Sequence, residues 1–379
     1  MGFSIYADNA ATTPLDGDAY NAMIEIFQNE YGNPSQPYSL SRASKKLIAE
    51  ARETIASCIN ASPNEVYFTS GGTESDNWAL EGVAFHNPTK AIITSQIEHH
   101  AILRTCKFLE KQKFPVVYLP VTSDGTILPE TLKEHIANTT SLVSIMLANN
   151  EIGSIQPIKE LAEIAHSHNA LFHTDAVQAV GHIPVNVKEF DMDMMSASAH
   201  KFNGPKGIGF LYIKHGTVLE AFMHGGSQEF SLRAGTENVA LIVGMAIALR
   251  KNINNLTRPN NLYNEEQFLI SKLQQNGLVL GKDFLWNGNH KISEHLPGLI
   301  SLSFKGRDGE AIMHRLDLRG IMISTGAACN SVNTTISHVI EAVNVPKNFA
   351  KGTIRISFNQ NSSHTDVDAV VNALLASLK

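Results

Sequence analysis

The chain has 379 residues, of which 43% are hydrophobic and 17% charged, and its formal net charge is −6. This length predicts two or three domains, and the slight acidic excess argues against a nucleic-acid partner. We expect no membrane span, because no apolar run is long enough, and no signal peptide, because the first residues lack an apolar stretch. The cysteines, Cys58, Cys106 and Cys329, are far apart and form no C-x-x-C motif. This spacing favours neither zinc nor disulfides, and we expect a cytoplasmic protein with reduced thiols.

The first elements in chain order are an extended arm and two helices. The arm covers residues 6–14, and residues 18–29 have apolar side chains at helical spacing. The second helix, 41–59, is strongly amphipathic, and its charged residues are most simply a solvated face. A loop with the sequence Gly32-Asn33-Pro34-Ser35 is predicted between the two helices.

A glycine turn follows the first predicted strand. Residues 66–69 read as this strand, and Ser70-Gly71-Gly72-Thr73 leads from it into a helix. Such a turn exposes backbone N–H groups at the positive end of the helix dipole, which together bind anions. It is therefore a candidate phosphate site, although many such turns contain glycine and bind no ligand.

Strands and helices alternate through the middle of the chain. Further strands are predicted at 91–94, 115–121 and 142–147 and within 170–178, with helices between them. This order predicts an α/β fold with a mostly parallel, doubly wound sheet. Ligands of such folds bind at the carboxyl ends of the strands. Six polar residues lie at or just past predicted strand ends: Thr73, Asn150, Asp175, Gln178, Ser198 and Lys201.

Lys201 follows a run of small residues and precedes a glycine-rich turn. The pattern predicts a strand, a tight loop that carries Lys201, and a second strand. An amine must be uncharged to attack a carbonyl, and partial burial lowers its pKa toward neutrality. Lys201 therefore suits a Schiff base, and Ser198 and His200 beside it could bond a phosphate. The alternative is a solvated surface lysine, which is the usual state of this residue type.

Two other kinds of site are disfavoured. Ser198 to Lys201 fits the S-x-x-K pattern of penicillin-binding enzymes, and residues 75–77 read S-D-N, but K-T-G is missing and the order of the motifs is reversed. The adjacent His99 and His100 are accompanied by no thiolate and no H-E-x-x-H motif, so no metal is expected.

The C-terminal part begins with a polar stretch at 252–266, where we expect a domain junction. Strands are predicted at 300–304 and 353–358, and a final helix at 366–378. Cys329 lies among small residues in the segment 324–331, which favours an accessible loop. A lone cysteine is more often buried and inert, but nothing near Cys329 in the sequence would bury it.

Seven motifs along the chain resemble those of the cysteine desulfurases. They read SGGTESDN, IEHHA, NNEIG, HTDAVQAVG, SASAHKFNGPKG, LRAGTEN and STGAACNS, and the resemblance runs from Tyr6 to Arg355. These NifS/IscS-like enzymes belong to the fold-type-I, class V aminotransferase group, which uses pyridoxal 5′-phosphate. The resemblance implies an arm (1–15) that packs with the small domain, a large cofactor-binding domain (16–257) and a small C-terminal domain (258–379) that carries the cysteine loop.

The resemblance also assigns roles around the cofactor ring and its phosphate. Lys201 would hold the cofactor as a Schiff base, and Asp175 would keep the ring nitrogen protonated, so that the ring accepts electrons. Gln178 would bond the ring hydroxyl, and His99 would lie against the ring and transfer protons. The phosphate would be held by Gly72, Thr73, Ser198 and His200.

Further assignments concern the substrate and a second subunit. Thr236 would reach the phosphate of a neighbouring subunit, which implies a homodimer. Arg355 and Asn150 would hold the substrate carboxylate, Arg355 by a two-pronged ion pair, and Asn33 would assist. Asn150 also counts among the expected cofactor contacts.

The implied reaction converts L-cysteine to L-alanine. The Lys201 amine would remove the α-proton, and the Cys329 thiolate would attack the substrate sulfur and keep it as a persulfide. A free thiol has a pKa of about 8.5, so the loop or the substrate must help to ionise it. An iron–sulfur scaffold or a tRNA-thiolating enzyme would accept the sulfur. In the STGAACNS loop Ala328 stands where serine is common, which does not threaten this chemistry.

Two alternatives come from other classes. The first is a different class V enzyme, such as a selenocysteine lyase or a small-molecule aminotransferase, and Cys329 in its loop argues against it. The second is a sulfur-carrier or scaffold subunit without catalysis, and the presence of Lys201, Asp175, His99 and Arg355 argues against that.

Overall fold

The computed structural model describes residues 4–256, 261–325 and 336–378. The strands are β1 (Ile5–Tyr6), β2 (Val66–Thr69), β3 (Ala91–Ser95), β4 (Val116–Leu119), β5 (Thr140–Ser144), β6 (Leu171–Asp175), β7 (Met194–Ser198), β8 (Gly209–Ile213), β9 (Phe284–Asn287), β10 (Leu299–Phe304), β11 (Ile321–Met322) and β12 (Thr353–Ser357). The helices are α1 (Gly17–Asn29), α2 (Ser39–Ile59), α3 (Gly72–His86), α4 (His100–Lys111), α5 (Pro129–His135), α6 (Ile158–Ser167), α7 (Val239–Leu256), α8 (Leu262–Gln275), α9 (Gly309–Asp317), α10 (His338–Ala342), α11 (Lys347–Ala350) and α12 (His364–Ser377).

The large sheet has seven strands in the order β2-β8-β7-β6-β5-β3-β4. Only β8 runs antiparallel to its neighbours, so the prediction of an α/β fold with a mostly parallel sheet is confirmed. The strands β5 and β7 are buried along their whole length. Helices cover both faces of such a sheet. Its strands therefore lack the alternation of polar and apolar residues that is typical of a sheet with one solvent-exposed face.

Helices α1, α2 and α7 pack together on one side of this sheet. On α2 the buried residues Ile48, Ala51, Ile55 and Ile59 recur every three or four positions, whereas the predicted apolar side had Leu47 in place of Ile48. Asn60 then adopts a left-handed conformation and ends it. Within the described ranges, no helix is long and apolar enough to cross a membrane.

A three-stranded antiparallel sheet, β12-β10-β9, forms the centre of the C-terminal part. With α8, α9 and α12 it encloses a second core that includes Leu269, Phe284, Ile300 and Ile354. Strand β9 was not predicted from the sequence. The polar stretch 252–266 is helical at both ends, because α7 continues to Leu256 and α8 begins at Leu262.

The N-terminal arm connects the two sheets. Its strand β1 pairs with β11 in parallel, and the backbone of Asp8 pairs with Ser357 at the end of β12. Farther along, the backbone N–H and the hydroxyl of Thr13 both donate to the carbonyl of His200, each at 2.9 Å. The arm therefore runs from the small sheet to the loop that carries Lys201.

Close backbone packing at the start of β8 requires glycine at position 209. A Cβ there would lie 2.7 Å from the Cα of Gly71 and closer still to the carbonyl oxygen of Ala197. Because backbone atoms cannot move aside cheaply, we expect Gly209→Ala to lower the free energy of unfolding by about 1–3 kcal/mol, measured by urea denaturation. Gly17→Ala is the control, since no atom lies within 4 Å of its added Cβ. Equal stability of the two variants would contradict this account.

Candidate active site

A cavity of about 310 Å³ opens at the carboxyl ends of the parallel strands. The segments that follow β2, β3, β5, β6 and β7 all contribute to its wall, as expected for a parallel sheet. The arm contributes Ala10 and Ala11, and β12 contributes Arg355. The volume lies in the range of small-molecule sites.

Lys201 ends a short helical turn, residues 199–201, directly after β7. Its Nζ donates hydrogen bonds to the carbonyl oxygens of Ala10 at 2.6 Å and Ala11 at 2.9 Å. The amine is half-buried and lines the cavity. The arm therefore supplies the acceptors that hold this amine inside the site.

Asp175 is the last residue of β6, and it also lines the cavity. One carboxylate oxygen accepts a hydrogen bond from the N–H of Val177 at 2.9 Å. Burial raises the pKa of Asp175 to about 6, so the group is ionised at neutral pH. A buried carboxylate of this kind can pair with a protonated ring nitrogen.

His99 and Gln178 lie in the same cavity. The Nδ1 of His99 accepts from the N–H of Ala101 at 3.2 Å at the start of α4. Burial and the charge of Lys201 lower the pKa of His99 to about 4, so its ring is neutral with the proton on Nε2. Gln178 donates from Nε2 to the carbonyl of Ala10 at 2.9 Å, which fixes its amide beside Lys201.

The predicted phosphate residues surround the start of α3. Gly72 and Thr73 are its first residues, and the first amide of this region that bonds within the helix is that of Ser75, to Gly71 at 3.1 Å. The preceding amides thus have no acceptor in the helix, which is the usual arrangement for anion binding. A Cβ at Gly72 would lie 2.6 Å from a methyl carbon of Val177, so a larger residue here would have to displace that side chain.

Ser198 and His200 complete this end of the cavity. His200 is held through Nδ1 by the hydroxyl of Thr12 at 3.2 Å. Burial, together with the nearby charge of Lys201, lowers the pKa of His200 to about 4. The side chain is therefore a neutral hydrogen-bonding group at physiological pH.

Arg355 lies in the middle of β12 and is 4% exposed. Its Nη1 donates to the carbonyl of Asn150 at 2.9 Å, and its Nη2 donates to Asp8 at 2.8 Å. Its Nε is buried and has no hydrogen-bond partner in the described part of the chain. The predicted pair Arg355 and Asn150 thus meets at the cavity, but it is the Asn150 backbone that contacts the arginine.

Two predicted site residues, Asn33 and Thr236, are not brought together with the rest, and a third, Cys329, cannot be compared. Asn33 is absent from the cavity wall, and its side chain accepts from the N–H of Ser35 at 2.9 Å in a local turn. Thr236 is exposed and also lies outside the cavity wall. Cys329 lies outside the described residues, whereas Ser337 and His338, which follow that segment, line the cavity.

Two buried carboxyl groups in the cavity were missed by the sequence analysis. Burial raises the pKa of Glu151 to about 7, and burial with the nearby charge of Asp175 raises that of Asp76 well above its usual range. Asp76 was noticed only as part of an S-D-N pattern. Its position four residues after Gly72 puts it on the same face of α3 as the phosphate turn. This spacing could have predicted that Asp76 lies at the cavity.

Asp76, His99 and Asp175 each offer a ligand atom within 4.8 Å of the others. This spacing meets the minimum for a metal site, which the sequence did not predict. Burial raises the pKa of Asp76, however, and a raised pKa weakens a carboxyl group as a metal ligand, because binding requires the deprotonated form. The Oδ1 of Asp76 is buried without a hydrogen-bond partner among the described residues, as suits a neutral acid better than a carboxylate.

His173 lies behind the cavity wall, next to Asp76. It is completely buried on β6, where its Nδ1 pairs with the hydroxyl of Ser144 at 2.9 Å and its Nε2 with that of Ser196 at 3.0 Å. Burial lowers its pKa to about 3. The imidazole is therefore neutral and gives no counter-charge to Asp76, although the two lie 3.9 Å apart.

The protonation of Asp76 predicts how its replacement changes stability with pH. The raised pKa means that the folded protein keeps a proton that the unfolded chain releases, so this group lowers stability as pH rises above about 4. We expect Asp76→Asn to gain up to about 1.4 kcal/mol over the wild type per pH unit, from the unfolded pKa up to the folded one. Urea unfolding at several pH values measures this difference. The control is Asp317→Asn, an exposed residue, and a pH-independent difference for Asp76→Asn would contradict the assignment.

Comparison with known proteins identifies the family. Residues 5–370 match the Aminotransferase class-V family. The cysteine desulfurase IscS of Dictyoglomus turgidum is 46% identical over 377 residues, which cover 99% of this chain and 94% of that protein. The cysteine desulfurase IscS of Methanosarcina thermophila is 44% identical over 373 residues, covering 98% and 91%.

Solved structures give the same result. A NifS-like protein superposes with a TM-score of 0.91 at 36% identity and 99% coverage of both chains. A structure described as SspA in complex with cysteine gives a TM-score of 0.82 at 33% identity, covering 95% of this chain and 100% of that one. The resemblance seen in the seven sequence motifs and the expected fold are both confirmed. The chain belongs to the class V aminotransferase family, within the branch of the cysteine desulfurases.

Proposed function

We propose that this protein is a cysteine desulfurase that uses pyridoxal 5′-phosphate, converts L-cysteine to L-alanine and keeps the sulfur on Cys329 as a persulfide. The main observation behind the proposal is that a single cavity is lined by the amine of Lys201, the buried carboxylate of Asp175 and the buried guanidinium of Arg355. The family supports the reaction, since its relatives are named for this activity. A complex of one structural neighbour with cysteine supports the substrate.

The residues of the cavity fit the cofactor. Pyridoxal phosphate requires an amine for its aldehyde, an acid for its ring nitrogen and anion donors for its phosphate, and the cavity holds all three in Lys201, Asp175 and the start of α3. The absence of space for a side chain at Gly72 suits close approach of a phosphate to the backbone. When bound, pyridoxal phosphate supplies a carbonyl for covalent attachment and a ring that withdraws electrons from the substrate α-carbon.

The protein's own groups then divide the proton chemistry. Lys201 would anchor the cofactor and, once displaced by substrate, would accept the α-proton at Nζ. Asp175, ionised above a pKa of about 6, would hold a proton on the ring nitrogen. His99 has a pKa of about 4 and stays neutral at pH 7, so it can donate a hydrogen bond from Nε2 without adding charge. Gln178, Ser198, His200 and Thr73 would orient the cofactor by hydrogen bonds.

Sulfur transfer is assigned to Cys329. Its thiolate would form a bond to the substrate sulfur, the bond between that sulfur and Cβ would break, and the electron pair left on Cβ would take up a proton to give the methyl group of alanine. The other two cysteines are poor candidates, because burial raises the thiol pKa of both Cys58 and Cys106 and lowers their thiolate fraction. Ser337 and His338, which follow the Cys329 segment in the sequence, line the cavity.

The remaining parts of the proposal concern assembly and location. Thr236 is exposed and outside its own cavity, which supports its contact with the phosphate of a second subunit in a homodimer, and Asn33 is retained as an auxiliary substrate contact. The domains proposed are residues 1–15, 16–257 and 258–379, in keeping with the separate core of the C-terminal part. The free thiols of Cys58 and Cys106 support a cytoplasmic location.

We propose an iron–sulfur scaffold or a tRNA-thiolating enzyme as sulfur acceptor.

The reaction itself is tested with Cys329→Ser. With L-cysteine and no reductant, the wild type should carry one added sulfur on the peptide that contains Cys329, and with a thiol reductant it should release equal alanine and sulfide. Cys329→Ser should release no alanine, because a hydroxyl is too weak a nucleophile toward sulfur. Mass spectrometry and amino-acid analysis give both readouts.

Matched controls separate this role from a general loss of structure. Cys58→Ser and Cys106→Ser should turn over normally, and Lys201→Ala should lose the reaction while its thiols remain intact. Full turnover by Cys329→Ser, or sulfur found on Cys106, would overturn the assignment and favour a lyase or an aminotransferase of the same family.

The role of Arg355 is tested by two substitutions. Arg355→Ala removes a charge-assisted bond to the substrate carboxylate worth about 1.5–3 kcal/mol, so kcat/KM for L-cysteine should fall by roughly 10- to 100-fold. Arg355→Lys should also be impaired, because a point charge cannot reproduce the planar fork. Arg307→Ala, an exposed arginine outside the cavity wall, is the control. Near-normal kcat/KM in both Arg355 variants would refute the role.

A further inference from the structure

The guanidinium of Arg355 is held in place by Asp8, a residue of the arm that does not itself line the cavity. The Oδ1 of Asp8 accepts from Nη2 of Arg355 at 2.8 Å, and the two side chains are 19% and 5% exposed. The carbonyl of Asn150 accepts from Nη1 at 2.9 Å. Arg355 is therefore held at both terminal nitrogens before any substrate arrives.

These two contacts do not use all the N–H donors of the guanidinium, and Nε is among those left for a ligand. An arginine has five N–H donors, and the two contacts described use one on each terminal nitrogen. The Nε of Arg355 is buried with no partner among the residues that the structure describes. A buried donor without a partner is costly, and Arg355 lines the cavity, so the vacant donors suit a carboxylate that enters from there.

The position of Asp8 is itself rigid. Its backbone pairs with Ser357, two residues beyond Arg355 on the same strand. The hydroxyl of Tyr6 lies 2.7 Å from the carbonyl oxygen of Thr12 and 3.0 Å from that of Asp8, and the next residue, Asn9, donates from Nδ2 to the carbonyl of Ser357 at 2.8 Å. An acceptor fixed in this way can select one orientation of a long, flexible arginine side chain.

We propose that Asp8 is a positioning residue, which orients Arg355 so that its remaining donors receive the carboxylate of the amino-acid substrate. It thereby gives the enzyme its preference for substrates with a free α-carboxylate. This inference rests on the proposed function, in which Arg355 binds that carboxylate. The competing explanation is that Asp8 merely neutralises a buried charge, with no effect on orientation.

Two substitutions separate orientation from charge. Asp8→Asn keeps an oxygen acceptor at the same place but removes the charge, whereas Asp8→Glu keeps the charge but displaces the acceptor by one methylene. The experiment measures the dissociation constants of L-alanine and L-alaninamide for the holoenzyme by calorimetry. The ratio is the dissociation constant of L-alaninamide divided by that of L-alanine. A high ratio reports recognition of the carboxylate, because the amide lacks its charge.

If Asp8 orients Arg355, Asp8→Asn should keep the ratio within about threefold of the wild type, since the acceptor is retained. Asp8→Glu should lower the ratio about tenfold or more, the range of a lost charge-assisted bond. In Asp8→Glu the KM for L-cysteine should rise more than kcat falls. The opposite order, with loss in Asp8→Asn and retention in Asp8→Glu, would show that only charge matters and would overturn the proposal.

Arg355→Ala, measured in parallel, distinguishes failure of this inference from failure of the proposed function. If Arg355→Ala loses the ratio while both Asp8 variants keep it, Arg355 binds the carboxylate without help from Asp8, and the inference is wrong. If Arg355→Ala keeps the ratio, the proposed role of Arg355 is wrong as well. Absence of alanine formation by the wild type would instead reject the desulfurase reaction.

Discussion

The hydrogen bonds between Lys201 and the carbonyls of Ala10 and Ala11 tie together parts of the chain that are about 190 residues apart. Gln178 bonds the same Ala10 carbonyl from a third segment. The arm is held on one side of these acceptors by the pairing of β1 with β11 and by the bond of Asn9 to Ser357, and on the other side by the bonds of Thr13 to His200. The site at the end of the large sheet is therefore tied through the arm to β11 and to the end of β12.

The cavity contains several buried ionisable groups, and burying them is unfavourable for folding. Asp76, Glu151 and Asp175 all have pKa values raised by burial, and that of His99 is lowered by it. The raised carboxyl pKa values cost stability at neutral pH, whereas the lowered pKa of His99 costs stability only below about pH 6.5, because each shift records an unfavourable transfer of the charged form from water. The buried strands of the parallel sheet provide the apolar packing that outweighs this cost. Perturbed groups in one cavity are typical of sites selected for chemistry over stability.

The sequence predicted most of the sheet and most of the site for a single physical reason. In a parallel sheet the carboxyl ends of the strands share one edge, so polar residues at strand ends, such as Asp175 and Lys201, are expected to meet. This argument fails for Asp8, which precedes any long strand and reaches the site by pairing with a sheet far along the chain. It also does not apply to β9, because that strand belongs to the antiparallel small sheet and pairs with β10. Such contacts are set by tertiary structure alone.

The same arm contacts both groups that are proposed to handle the substrate. Asp8 bonds Arg355, and two residues later the Ala10 carbonyl bonds Lys201. In the proposed cycle the Lys201 amine is released each time substrate binds, and the carbonyls of Ala10 and Ala11 are acceptors already in place for its ammonium form. Groups held ready in this way need no rearrangement during the reaction. One short segment thus contacts both the amine that is proposed to move the proton and the guanidinium that is proposed to hold the carboxylate, so the spacing of these two groups is tied to the arm.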